Sequence, residues 1–256
     1  MRRIRIVVAY DGTNYCGWQI QPNGITIEEI LNRQISKLTG EDIRIIGASR
    51  TDSGVHALGN VAVFDTESRI PGDRFAYALN QKMPEDIVIV RSDEVQIDWH
   101  PRYQNEISKT YEYHIYNAKV RNPLKNRYST FVSFDLDVEK MRQGAKYILG
   151  EHDFASFCNV RTNAKDTVRT VHEITIKEIP MDKFQASNWG QENSNLENEK
   201  EIVIRVTGNG FLYNMVRIIA GTLIRVGRGF YEPEKIRDIL EDRKSTRLNS
   251  SHASKS

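Results

Sequence analysis

Hydrophobic and polar residues follow two different periods along the first half of the chain. The apolar run at 4–10 favours a strand, whereas apolar residues within 26–39 recur every three or four positions, as on one face of a helix. Thr26 and Glu29 form a capping box at the start of this predicted helix, and Gly40 ends it. The remaining predicted elements are strands at 43–48 and 60–66, a short helix near 72–82 and a strand at 87–94. Their order, β-α-β-β-α-β, is typical of a ferredoxin-like unit with helices on one face of a largely antiparallel sheet.

A similar order returns in the second half of the chain. The pattern predicts strands at 109–117, 168–179 and 202–207, helices at 138–149 and from about 211 to 226, an additional helix opening at Glu232-Pro233, and room for an extra strand at 127–134. The stretch "GEHDFASF" (150–157) is interpreted as a helix cap followed by an apolar plug. The fold class is therefore α+β, with two ferredoxin-like halves at 1–104 and 105–243.

Two polar segments interrupt this second copy. Residues 181–201 predict a long loop inserted between two strands. Residues 244–256 are Ser-rich and lack period-2 alternation, so they predict a disordered tail. The second copy would need one more strand at this point, and the tail does not provide it.

Composition narrows the function classes. The 256 residues are 39% hydrophobic with a mean hydropathy of -0.54, and they hold no apolar run near the roughly 20 residues of a membrane span. The first residues lack the features of a signal peptide, so a cytoplasmic location is expected. Cys16 and Cys158 lie far apart, and the six histidines show no ligand spacing. We therefore expect no disulfide framework and no metal.

Charge is segregated along the chain although the net charge is only +2. Basic residues dominate 119–128 and 160–172, whereas acidic residues concentrate in 192–201 and 232–242. Such segregation is typical of a basic face that contacts phosphate. Each cluster taken singly is as readily explained as a solvated loop.

The stretch "GASRTDSGVHALG" (47–59) holds the main candidate for chemistry. Asp52-Ser53-Gly54 is typical of a turn, and a turn alone would need no further explanation. Arg217 lies in a nearly apolar helical turn, where a guanidinium usually pairs with an anion. Asp52 is the natural candidate for that anion, because a cation beside it would hold the carboxylate ionised for use as a nucleophile or base. A structural ion pair, or an arginine that reaches solvent along its stem, explains Arg217 equally well.

Five motifs together resemble the tRNA pseudouridine synthase A family. They are "YDGTNYCGWQ", "RTDSGVHA", "KTYEYHIYN", "GEHDFASF" and "GFLYNMVRIIAGTL", and the resemblance covers residues 3 to about 243. It implies that Asp52 is the family's invariant aspartate, Tyr111 its active-site tyrosine and Arg217 the arginine that pairs with the aspartate. Arg50 resembles the arginine that contacts RNA and helps to displace the target base. His56 receives no catalytic role.

The resemblance also implies an activity. The family converts uridine to pseudouridine at positions 38–40 of the tRNA anticodon arm, without cofactor or metal, as a homodimer in which both subunits contact one tRNA. Asp52 would attack the substrate or abstract a sugar proton, and the residues leave both routes open. Tyr111 would stack on the uracil.

One departure from the family keeps other functions open. After the helix that ends near Arg243, the family continues into a final strand, where this chain has "KSTRLNSSHASKS". A truncated or chimeric reading frame would explain this, and the chain would then be a catalytically impaired tRNA-binding module. A nucleoside or glycoside hydrolase is a third hypothesis, although glycosidases usually need two carboxylates.

Overall fold

The computed structural model describes residues 1–103, 108–159, 164–180 and 199–242. The chain divides into two compact units, Met1–Ile107 and Ser108–Ser256. The predicted tail and most of the predicted 181–201 loop lie outside the described residues, as does any final strand beyond residue 242. Over the described ranges, none of the helices combines the length and apolar character that crossing a membrane requires.

The first unit has the predicted β-α-β-β-α-β order. Its elements are β1 (Arg2–Tyr10), α1 (Ile27–Thr39), β2 (Ile46–Gly47), β3 (Ala57–Thr66), α2 (Phe75–Asn80) and β4 (Ile87–Val95). The sheet order is β2-β3-β1-β4, and every neighbouring pair is antiparallel. This is the strand order of a ferredoxin-like sheet, so the prediction for this half is confirmed.

Helix α1 has the cap residues and the buried face that the sequence predicts. The Thr26 side chain accepts a hydrogen bond from the Glu29 amide, and Gly40 closes the helix with φ 76°. The apolar face is buried among the residues of the first core, which include Ile27, Leu31 and Ile35. Both end signals and the buried face are local in sequence, which is why they could be recognised there.

Strand β2 is much shorter than the predicted strand at 43–48. The amide of Ile43 donates to Ser36 Oγ at 2.9 Å, and the amide of Ile45 donates to Asn32 Oδ1 at 2.9 Å. Both acceptors belong to α1, so these backbone groups are satisfied by helix side chains instead of a neighbouring strand. Only Ile46 and Gly47 pair with β3.

The second unit contains a five-stranded sheet. Its elements are β5 (Lys109–Asn117), β6 (Thr130–Val132), α3 (Val138–Ala145), β7 (Gly150–Asp153), β8 (Val168–Pro180), β9 (Lys200–Gly208), α4 (Met215–Gly227) and α5 (Lys235–Glu241). The order is β6-β5-β9-β8-β7, with β5 and β6 parallel and the other pairs antiparallel. The position beside β5 that a fourth ferredoxin-like strand would take is thus partly filled by β6, which pairs with residues 115–117.

Two predictions for this unit need correction. Residues 150–153 pair with β8 as β7, a strand that the sequence did not predict, although Gly150 has the left-handed φ of 98° just after the helical turn Lys146–Ile148. Phe154 and Phe157 are fully buried, so the apolar plug is confirmed. Helix α4 begins at Met215 instead of about 211. A turn comes directly before it, in which the Met215 amide donates to the Leu212 carbonyl at 3.0 Å.

Candidate active site

Asp52 lies in the loop that joins β2 to β3. The Val55 amide donates to the Asp52 carbonyl at 3.1 Å, and Gly54 has φ 74° in the left-handed region that glycine tolerates. The Asp-Ser-Gly turn expected from the sequence is therefore present. Asp52 itself is half-buried at the start of this turn.

The segment that follows β1 supports this loop from one side. The Trp18 amide donates to the Thr51 carbonyl at 3.0 Å. The Tyr15 carbonyl accepts from the Ser53 hydroxyl at 3.2 Å and from the Gly54 amide at 3.3 Å. The fold thus brings the "YDGTNYCGWQ" and "RTDSGVHA" motifs into direct contact, so the aromatic residues after β1 are part of the support for Asp52.

The far end of the loop is attached at His56. Its Nδ1 lies 3.1 Å from the Gly12 amide nitrogen and 3.0 Å from Asp11 Oδ1. A neutral Nδ1 accepts from the amide, whereas a protonated one donates to the carboxylate, so it makes one of these bonds at a time. Either bond ties the loop to the segment that follows β1.

Two arginines, Arg50 within the Asp52 loop and Arg102 at its start, carry positive charge in this region. Arg50 is exposed, and the Arg102 Nε donates to the Gly47 carbonyl at 2.7 Å. Burial lowers the pKa of Arg102, and the positive charge of Arg50 lowers that pKa further. Sequence reasoning missed Arg102, because a single arginine in "HPRY" carries no local signal and only folding brings it to Gly47.

Tyr111 lies on β5 in the second unit, opposite Val206 of β9. Its half-buried ring packs edge-to-face on Phe211, with ring centroids 5.1 Å apart. Phe211 lies in the irregular segment between β9 and α4, so this segment supplies the ring against which Tyr111 packs. This contact joins two of the motifs on which the family resemblance depends.

Arg217 is the third residue of α4 and is half-buried. The core-facing side of α4 consists of Met215, Ile219, Ala220 and Leu223, and Arg217 lies off that side of the helix. The pairing of Arg217 with Asp52 stays a prediction.

The basic cluster at 119–128 is partly neutralised. Lys119 forms an ion pair with Asp135 at 2.9 Å, and Lys125 lies 3.5 Å from Glu201. The Arg121 guanidinium lies over the Phe131 ring at 5.1 Å. The second basic cluster, at 160–172, falls partly outside the described residues.

Throughout the described part of the chain, no group of three or more His, Cys, Asp or Glu side chains could hold a metal ion.

Comparison with known proteins gives one consistent result. Residues 6–104 and 145–256 match the sequence profile of a family described as tRNA pseudouridine synthase. A tRNA pseudouridine synthase A from Acetivibrio thermocellus is 46% identical over 248 residues, which cover 96% of this chain and 93% of the relative. Another from Brevibacillus brevis is 42% identical, covering 94% and 90%. A protein called tRNA pseudouridine synthase A 2, from Clostridium perfringens, is 45% identical, covering 95% and 93%.

Proposed function

The chain belongs to the tRNA pseudouridine synthase family, and from this premise we propose that it converts uridine to pseudouridine at positions 38–40 of the tRNA anticodon stem-loop. The proposal makes Asp52 the essential carboxylate. The observation that carries it is the firmly held turn at Asp52, in a chain that matches the family over nearly its whole length. Asp52 is half-buried in this turn, Arg50 is exposed in the same loop, and Arg102 donates to the Gly47 carbonyl at the start of the loop.

The reaction is an isomerisation, so its atoms balance without a second substrate. The bond between N1 of uracil and C1′ of ribose breaks, and a bond between C5 and C1′ forms. The C5 proton leaves to solvent, and N1 gains a proton. Asp52 would act either by attack or by removal of a sugar proton, and both routes need an oxygen of the carboxylate close to the ribose or base.

Three further side chains would bind the substrate. The target uridine lies in or next to a stem, so it must be turned out of the stack before it can react. Arg50, which is exposed on the Asp52 loop, would help to displace it, and Tyr111 would stack on the uracil. The Phe211 ring, edge-on to Tyr111, would hold Tyr111 in its stacking orientation. Arg217 would complete the substrate-binding set.

The cellular setting forms part of the same proposal. The protein would act in the cytoplasm on tRNA and would work as a homodimer in which both subunits contact one tRNA. Exposed arginines such as Arg50 suit the phosphate contacts that position RNA on a protein surface.

Tritium release tests the activity directly. An anticodon-arm RNA with a single uridine labelled at C5, placed at position 38, 39 or 40, releases tritium to water only when C5 loses its hydrogen. Wild-type protein should release tritium, whereas Asp52→Ala and Asp52→Asn should not, although both should still bind the RNA. Asp73→Asn serves as the matched control, because the Asp73 side chain is 71% exposed in the short 3-10 helix Gly72–Arg74, outside the Asp52 loop.

The outcomes separate an enzyme from a binding module. Release that is lost in both Asp52 variants and retained in Asp73→Asn supports the isomerase. Binding of RNA by the wild type without any release would overturn the proposed activity in favour of a tRNA-binding module. Comparison of the three labelled positions would show which uridines are modified.

A further inference from the structure

Two polar side chains of the sheet form hydrogen bonds with the residues on either side of Arg50. Asn60 of β3 holds Ser49, and Tyr10 at the end of β1 holds Thr51. The family resemblance assigns no role to either side chain, and neither is charged or exposed. Their position raises the question of whether they contribute to the reaction through Asp52.

Asn60 acts on the backbone of Ser49. Its Oδ1 accepts from the Ser49 amide at 3.3 Å, and its Nδ2 donates to the Ser49 carbonyl at 3.1 Å. Both polar backbone groups of one loop residue are therefore satisfied by one side chain, which is only 7% exposed. Loss of this carboxamide would leave two backbone groups without these partners, in a site that is mostly closed to water.

Tyr10 acts on the side chain of Thr51. The Tyr10 hydroxyl lies 2.7 Å from Thr51 Oγ1 and 3.5 Å from Asn60 Nδ2. The Tyr10 ring is 5% exposed and packs on Trp18, with centroids 6.0 Å apart. The phenol is thus fixed by its own packing, and its hydroxyl supplies a rigid attachment point for the residue directly before Asp52.

We propose that Tyr10 and Asn60 are positioning residues for the reaction, which hold Thr51 and Ser49 so that the Asp52 carboxylate keeps one location. This inference rests on the proposed function. A displacement of about 1 Å in a reacting group can lower a rate on the order of 100-fold, whereas binding of a large RNA depends on many other contacts. Loosening the loop therefore lowers kcat with little effect on the KM for tRNA.

Three variants of one hydrogen bond test the proposal. Tyr10→Phe and Thr51→Val each remove one hydroxyl of the pair with little change in volume, and Thr51→Ser keeps the hydroxyl. We expect kcat to fall roughly 10- to 100-fold in the first two, with KM changed less than about threefold, and Thr51→Ser to recover most of the loss. The double variant should fall no further than the worse single variant, because both remove the same bond.

A matched control separates positioning from general stability. Tyr113 and Thr130 in the second unit form a similar hydroxyl pair at 2.8 Å. Thr130→Val therefore removes an equivalent bond that does not involve the Asp52 loop, and it should leave kcat unchanged. Asn60→Ala should lower kcat further than Tyr10→Phe, because it releases both backbone groups of Ser49.

The results distinguish failure of this inference from failure of the proposed function. If Tyr10→Phe and Thr51→Val retain wild-type kcat while Asp52→Ala is inactive, the positioning role is overturned and the proposed function stands. If Asp52→Ala retains activity, the role of Asp52 fails, and if the wild type releases no tritium, the proposed function itself fails. A loss in Thr51→Val that Thr51→Ser does not recover, or that Thr130→Val reproduces, would also reject the positioning role. Should Asn60→Ala fail to fold, the Tyr10 and Thr51 variants decide the question.

Discussion

Gly17 packs so closely against Thr51 that a Cβ at position 17 would lie 2.6 Å from the Thr51 carbonyl oxygen. That oxygen also accepts the Trp18 amide. The backbone before Trp18 and the backbone before Asp52 are thus in direct contact, and a side chain at position 17 would push them apart. Gly17, the second glycine of "YDGTNYCGWQ", is required because of the loop that carries the carboxylate.

Gly17→Ala should therefore impair both stability and activity. Gly17 has φ 86°, so a side chain costs about 1–2 kcal/mol from the left-handed backbone, and the overlap with Thr51 adds about 1–3 kcal/mol. Gly40→Ala is the matched control, because Gly40 has φ 76° but nothing lies within 4 Å of its added Cβ. Urea unfolding and tritium release should show a larger stability loss for Gly17→Ala, and an activity loss for that variant only. Equal stability losses would contradict the close contact.

Tyr15, whose carbonyl accepts hydrogen bonds from the Asp52 loop, is anchored at its hydroxyl by Asp86. Its hydroxyl donates to Asp86 Oδ1 at 2.6 Å, and burial, aided by Asp86, raises the pKa of Tyr15 well above its ordinary value of 10.0. Tyr15→Phe should reduce the free energy of unfolding by about 1.5–3 kcal/mol, because it removes a hydrogen bond to a charged group. Urea unfolding at pH 8 measures this loss.

The same hydroxyl predicts a pH dependence. Because the folded-state pKa of Tyr15 is raised, its contribution is fully present below the ordinary value of 10.0 and is lost as pH rises above it. The difference in unfolding free energy between wild type and Tyr15→Phe should thus stay constant from pH 7 to about 9 and shrink near pH 11. A difference that grows with pH would show that the hydroxyl is not protonated in the folded state.

Asn214 adopts a left-handed conformation at the start of α4, with φ 60° and ψ 9°, and its side chain makes no capping hydrogen bond. Asn214→Ala should lower the free energy of unfolding by about 1 kcal/mol, because alanine tolerates this conformation less well. Asn214→Gly should remain within about 0.5 kcal/mol of the wild type, because glycine adopts it freely. Denaturant unfolding of the two variants side by side would show this order. The reverse order would mean that the asparagine side chain itself stabilises the turn.

Glu178, in the second unit, predicts a loss of stability at low pH. A hydrogen bond from Lys200 at 2.8 Å is the main cause that lowers the pKa of Glu178, and Arg142 assists while burial opposes the shift. A lowered pKa gives stability that is fully present above the ordinary value of 4.5 and is lost as pH falls below it. Glu178→Gln should therefore be less stable than wild type at pH 7, with a difference that shrinks between about pH 5 and 3.

The control for this prediction is an exposed ion pair of the same unit. Glu232 lies 3.5 Å from Lys140, and its side chain is 71% exposed. Glu232→Gln should change the free energy of unfolding little, both at pH 7 and at about pH 3, because exposed ion pairs contribute about 0–1 kcal/mol. A pH-dependent loss of equal size in both variants would point to net charge in general instead of the Lys200 contact.

Local sequence patterns predicted an element correctly where the residues that stabilise it lie close together in sequence. Helix α1 was predicted with its cap residues, because Thr26, Glu29 and Gly40 act on their own neighbours. The Asp52 turn was predicted for the same reason, since aspartate and glycine favour turns through their own backbones. Strand β7 was missed, because residues 150–153 show no alternation and become a strand only by pairing with β8.

The motifs identified the candidate site residues, but they did not identify the side chains that hold the Asp52 loop. Asp52, Arg50, Tyr111 and Arg217 were identified from the primary structure and the family resemblance, and their roles remain predictions. Tyr10 and Thr51 lie 41 positions apart, and Arg102 and Gly47 lie 55 apart. No periodicity links such residues, because hydrogen bonds between distant segments depend on the sheet register that brings the segments together. Most element types and the Asp52 turn could therefore be predicted from local sequence, while tertiary packing decided which side chains hold the Asp52 loop.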